Sequence, residues 1–161
     1  MIAMAQTDES LTLDSLQRDI LLPQIESFLA ASPNAEARAS YLALREAIDG
    51  LIIPAGLTGR LGAIVEVLLT SGRVRKLYGP GAELSLWALF QRTPQGRGIN
   101  SSVEAVNAAF KRFSGQQIAG ITAVARGPAA YALTVKTAQF QVVVRFEPTG
   151  IRLENVELGA G

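Results

Sequence analysis

The chain contains neither cysteine nor histidine. Without cysteine there can be no disulfide, no thiolate nucleophile and no sulfur ligand to a metal; without histidine there is no imidazole to shuttle a proton. Together the two absences exclude Cys/His zinc sites, Ser-His-Asp triads and Cys-His pairs. A metal would need a site built from carboxylates or helped by a phosphate. No metal and no cofactor is expected. Charge is scarce too: Asp, Glu, Lys and Arg make up 18% of the 161 residues, against about 25% in an ordinary soluble domain. With 48% apolar residues, part of the surface is less polar than a free monomer needs, which favours self-association, most simply as a homodimer. No stretch approaches the ~18 apolar residues of a membrane span. The opening MIAMAQTDES has no basic segment ahead of a long apolar run, so the expectation is a cytoplasmic protein.

The net charge of +1 hides an uneven distribution. Residues 1–59 hold eight acids and three bases, whereas residues 60–115 hold eight bases and three acids. Such an asymmetry either makes an anion-binding face or draws the two segments together. The chain is long enough for one hydrophobic core. We expect a single α+β domain over residues 11–158, helical over 11–79 and β-rich over 83–158, with flexible ends at 1–10 and 159–161.

Helical periodicity runs through Leu13, Leu16, Ile20, Ile25 and Phe28, with a kink or restart expected at Pro23. Asn34 reads as an N-cap for a second helix carrying Tyr41, Leu44, Ile48 and Leu51, ended by the 50–54 region. Thr58 reads as the cap of a third, whose buried face is Leu61, Ile64, Val65, Leu68 and Leu69 and which stops at Gly72. Residues 77–81 carry turn chemistry. The run 84–90 fits both periods; alternation of Leu84, Leu86, Ala88 and Phe90 favours a strand. Residues 93–98 read as a loop. Ser101 and Glu104 have capping-box spacing, opening a helix with Val103, Val106, Phe110 and Phe113 on one face and Gly115 at its end. Beyond Gly115 the period falls to two, giving four strands, 118–126, 131–137, 140–146 and 151–158, whose short connections make an antiparallel meander.

From residue 83 the order of strand, helix and four antiparallel strands resembles the cystatin-like folds, in particular the NTF2-like superfamily, over roughly residues 55–158. The resemblance implies a cone-like curved sheet packed on helices, with a small apolar ligand held in the cone or a dimer formed through the sheet face. It makes Trp87, Phe90, Phe110, Phe113, Tyr131 and Phe140 candidates for the cavity lining. Gln116-Gln117-Ile118-Ala119-Gly120 is similar to the Gln-x-Val-x-Gly hairpin of cystatins, but it directly follows a helix and there is no Pro-Trp second loop. Gly56-x-x-Gly59-x-x-Gly62 lacks phosphate-cradle spacing and reads as a helix entrance.

The leading functional expectation is a non-catalytic ligand-binding or protein-interaction module, dimerised through the sheet of residues 117–158. One alternative is a small hydrolase or isomerase using a buried carboxylate and Tyr131; Glu66 and Glu83 lie in or beside apolar segments and are the acids to inspect. Another is an anion- or RNA-binding accessory protein using Arg73, Arg75, Lys76, Arg92 and Arg97. A sequence pI of 8.1 is low for a nucleic-acid-binding domain.

Overall fold

A computed structural model describes residues 9–158; the ends expected to be flexible fall, apart from Glu9 and Ser10, outside the described residues. The chain is α+β, as the sequence predicts, and it divides into two compact units, Met1–Arg97 and Gly98–Gly161.

The first unit is helical. Helix α1 (Ser15–Ala31) runs unbroken through Pro23. Proline removes one ladder bond, but Ile20, Leu21, Gln24 and Ile25 on either side are all buried and hold both halves of the helix in place. Its N-terminus is closed by a capping box: the Gln17 backbone N–H donates to Asp14 Oδ1 (2.8 Å), and the Asp14 N–H donates to Gln17 Oε1 (3.0 Å). Helix α2 (Ala35–Asp49) starts at the expected cap, Asn34, which accepts from the Ala37 N–H. Two-residue strands β1 (Leu11–Thr12) and β2 (Ile52–Ile53) pair antiparallel across these helices' ends. They are too short to show a period in sequence. Helix α3 (Thr58–Thr70) buries Leu61, Ile64, Val65 and Leu68 as expected. Thr58, however, is its first helical residue, and its hydroxyl donates back to the Ala55 carbonyl. Gly72, at φ 67°, ends the segment in the left-handed region that suits glycine.

Two expectations are overturned here. The run 84–90 is not a strand but part of helix α5 (Pro80–Phe90), separated from helix α4 (Arg73–Tyr78) by Gly79 alone. Pro80 occupies the first helical turn, where a missing N–H costs nothing. Ala82, Leu86, Leu89 and Phe90 are buried at helical spacing, while Leu84 is exposed. Residues 93–98 are not a loop either: helix α6 runs from Pro94 to Phe110, so Ser101 lies inside it and caps nothing. Thr93 stands at the start instead, its hydroxyl accepting from the Gly96 N–H (3.3 Å). Of the order behind the NTF2-like resemblance, the helix and the four-stranded meander are present, and the preceding strand is this helix α5.

The second unit is the end of α6 and an open antiparallel sheet in the order β3 (Gly120–Gly127), β4 (Ala130–Lys136), β5 (Phe140–Glu147) and β6 (Gly150–Leu158). Val106 and Ala109 of α6 pack on Val142 and Val144, with Phe110, Phe113, Ile151, Leu153 and Val156 around them. All the sheet residues in this cluster share one face, because residues opposite one another in the ladder point the same way.

Candidate functional site

The same register carries that face onward to β4 and β3: Val144, Leu133 and Ala123 lie in one row, Phe146, Tyr131 and Ala125 in the next, and Val142, Val135 and Ile121 in the third. Helix α6 packs on Val142 and Val144 of β5 with Ile151, Leu153 and Val156 of β6 around them, and Val135 of β4 is buried on the same face. Elsewhere on this face Ile121 is 60% exposed, Tyr131 52% and Phe146 40%. On the opposite face of β3, Val124 is 50% exposed. Every residue of β3 after Gly120 is exposed, and its outer backbone edge pairs with no other strand among the described residues.

The two edges of the sheet differ. At β6, Arg152 and Glu154 join Arg145 and Glu147 in a network of ion pairs (Arg145–Glu147 2.8 Å, Arg145–Glu154 3.7 Å, Arg152–Glu147 3.4 Å), and a register shift interrupts the ladder beside Val144. Charges and bulges are the usual protection of an edge strand against further pairing. β3 has one charge, Arg126, at its far end, next to a bulge between Ala125 and Gly127. Its central stretch, Ile121-Thr122-Ala123-Val124-Ala125, is rich in β-formers and carries no protection.

The six aromatic candidates fall in both units. Trp87 and Phe90 belong to the helical unit, their rings 5.7 Å apart, Phe90 buried and Trp87 41% exposed. Phe110, Phe113 and Phe140 form an edge-to-face chain in the sheet unit (6.3 and 4.8 Å), where they close the end of its core. Tyr131 lies on the open apolar face. None of the six is among the lining residues of three cavities found among the described residues. Those are a cavity of about 320 Å³ between α1, α3 and α4, one of about 520 Å³ beside it, and one of about 250 Å³ against the β5–β6 turn.

Of the basic set, Arg75 pairs with Glu83 (3.7 Å), Arg92 donates to the Thr12 carbonyl (3.1 Å) and Arg97 to the Arg92 carbonyl (3.1 Å). Arg75, Arg92 and Arg97 thus have partners inside the helical unit. The buried polar side chains are Gln17, Gln24, Thr58, Thr93 and Thr137, and no carboxylate is among them. Glu66 and Glu83 are half-buried and sit in the helical unit, whereas Tyr131 belongs to the sheet unit. One carboxylate oxygen of Glu83, Oε2, is buried without a hydrogen-bond partner among the described residues, 3.7 Å from the Arg75 guanidinium. No group of three or more acids that could hold a metal occurs among them, and no described helix is long and apolar enough to cross a membrane.

No family model, curated protein or solved structure matches the chain. Sequence reasoning missed the open β3 edge because exposure of a strand depends on what lies beside it, which its own residues do not state. The one available signal was the uncharged stretch 118–125.

Proposed function

We propose that this protein is a non-catalytic protein-interaction module that works as a cytoplasmic homodimer, two copies joining their sheets through β3. The observation that carries this reading is the unpaired, unprotected edge of β3 beside an exposed apolar face. Adding a strand to such an edge satisfies a row of backbone donors and acceptors and supplies most of the binding.

A second copy suits this edge by its own sequence. Antiparallel pairing centred on Ala123 sets Ile121 against the partner's Ala125 and Thr122 against the partner's Val124, large beside small. Arg126 then meets the partner's Gly120, so no like charges face each other. The pairing is isologous and closes at two copies. A two-fold axis normal to the sheet keeps the open faces of both copies on one side, and the two sets of Ile121, Tyr131 and Phe146 join into one apolar surface. Pairing of β3 with the β6 of another copy would grow without limit, and the charges and bulge at β6 oppose it.

The test uses the two-fold register. Ala123 is exposed, so Ala123→Lys and Ala123→Glu leave the core of the sheet unit intact, yet each sets like charges opposite one another across the axis. By native mass spectrometry the natural chain should be a dimer, each variant a monomer, and an equimolar mixture of the two a heterodimer. A monomeric natural chain, or variants that dimerise as well as it does, would refute the reading.

A further inference from the structure

A second site, independent of the sheet, lies in the helical unit. Gln24 of α1 is only 5% exposed, and its side-chain amide makes no hydrogen bond with any described residue. Its polar atoms are not among those closed off from solvent, so the amide has open hydrogen-bonding positions. Gln24 lines the 320 Å³ cavity, whose other walls are Phe28 and Ala31 of α1, Val67 and Leu68 of α3, and Ser27, Ser71 and Arg73. Arg73 is exposed and forms no ion pair among the described residues. Apolar walls with a few converging polar groups are the usual composition of a small-molecule site, and this volume is near the lower end of the ~300–1,000 Å³ range for such sites.

We infer that this cavity binds a small amphipathic carboxylic acid. The hydrocarbon part packs against Phe28, Ala31, Val67 and Leu68, and the carboxylate accepts hydrogen bonds from the Gln24 amide and the Arg73 guanidinium. The chemistry of the lining selects this class. A cationic head would meet Arg73 with no acid in the lining to offset it, and a neutral alcohol would satisfy Gln24 while leaving the guanidinium unused. A carboxylate accepts from both, and hydrogen bonds to a charged group are the stronger kind. Phe28 and Val67 also wall the neighbouring cavity of about 520 Å³, together with Tyr41, Arg60, Ala63 and Ile64. A longer chain can therefore continue past them.

Sodium octanoate is a suitable probe, titrated into the full chain while the methyl resonances of Val67 and Leu68 are followed by NMR. Saturable shifts are expected. Gln24→Leu and Arg73→Gln should each weaken binding about tenfold or more, and 1-octanol should bind correspondingly more weakly than octanoate. Gln24→Leu should leave Tm nearly unchanged, since the amide makes no hydrogen bond with any described residue. Arg73 is exposed, so its variant carries the test alone if Gln24→Leu fails to fold. Shifts that never saturate, octanol binding as well as octanoate, or full affinity in a folded Gln24→Leu or in Arg73→Gln would overturn the inference.

Discussion

Single side chains and single missing ones decide how the helices of the first unit begin. Asp14 and Gln17 satisfy each other's backbone N–H groups, and the Gln17 amide also donates to the Ser85 carbonyl (3.1 Å), tying the start of α1 to α5. Replacing Asp14 by Ala removes one of these bonds and should cost about 1 kcal/mol, measured by urea unfolding; no change in midpoint would show that the cap is not used. Gly96 acts through the absence of a side chain. A Cβ there would collide with the Phe90 carbonyl group, which is backbone and cannot move aside. Gly96→Ala should therefore destabilise the helical unit by about 1–3 kcal/mol, the usual cost of overpacking, although alanine is the better helix former. A neutral or stabilised variant would contradict the close approach. In the sequence Gly96 reads as a helix breaker, because the backbone that crowds it is invisible to local reasoning.

At the scale of elements, α5 is the clearest case of two periods fitting one string. Leu84-Ser85-Leu86-Trp87-Ala88-Leu89-Phe90 is apolar enough that alternation and helical spacing both find matches, and only packing separates them. Leu89 is fully buried and Leu84 is 68% exposed. Leu89→Ala should thus cost about 2–5 kcal/mol and Leu84→Ala almost nothing in the same unfolding assay. A strand with Leu84, Leu86, Ala88 and Phe90 inward would give the reverse order. The meander was legible because β4 and β5 alternate and their ends carry Gly127-Pro128 and Glu147-Pro148-Thr149-Gly150, which permit little but turns. Helices α2 and α3 were legible for the same kind of reason: a stop signal closes each, and Asn34 marks the start of α2. The first two turns of α6 were not, since Pro94, Gly96 and Gly98 mimic a loop. In fact Pro94 sits at the helix start and Gly96 is required by contact. Neither candidate site could be read directly. Gln24 looks like any polar residue on a helix, and β3 looks like any strand, until their neighbours are known.

At the scale of the whole molecule, the shortage of charge noted in the sequence shows as exposed apolar side chains in both units, among them Leu16, Leu84 and Trp87 in the helical one and Ile121, Tyr131 and Phe146 on the sheet, while β6 carries the charges that guard its own edge. A homodimer through β3 accounts for both edges, the protected and the unprotected, with one symmetry operation. The chain's lack of cysteine makes the central claim directly measurable, because a single introduced thiol has no native competitor. Residues opposite each other across an antiparallel pair have Cα atoms about 4.5–5.5 Å apart, within the span of a disulfide. Under mild oxidation Ala123→Cys should form a covalent dimer in high yield, while Glu157→Cys, on the guarded edge, should remain monomeric. Absence of the Ala123→Cys dimer, or equal yields at the two positions, would contradict pairing through β3.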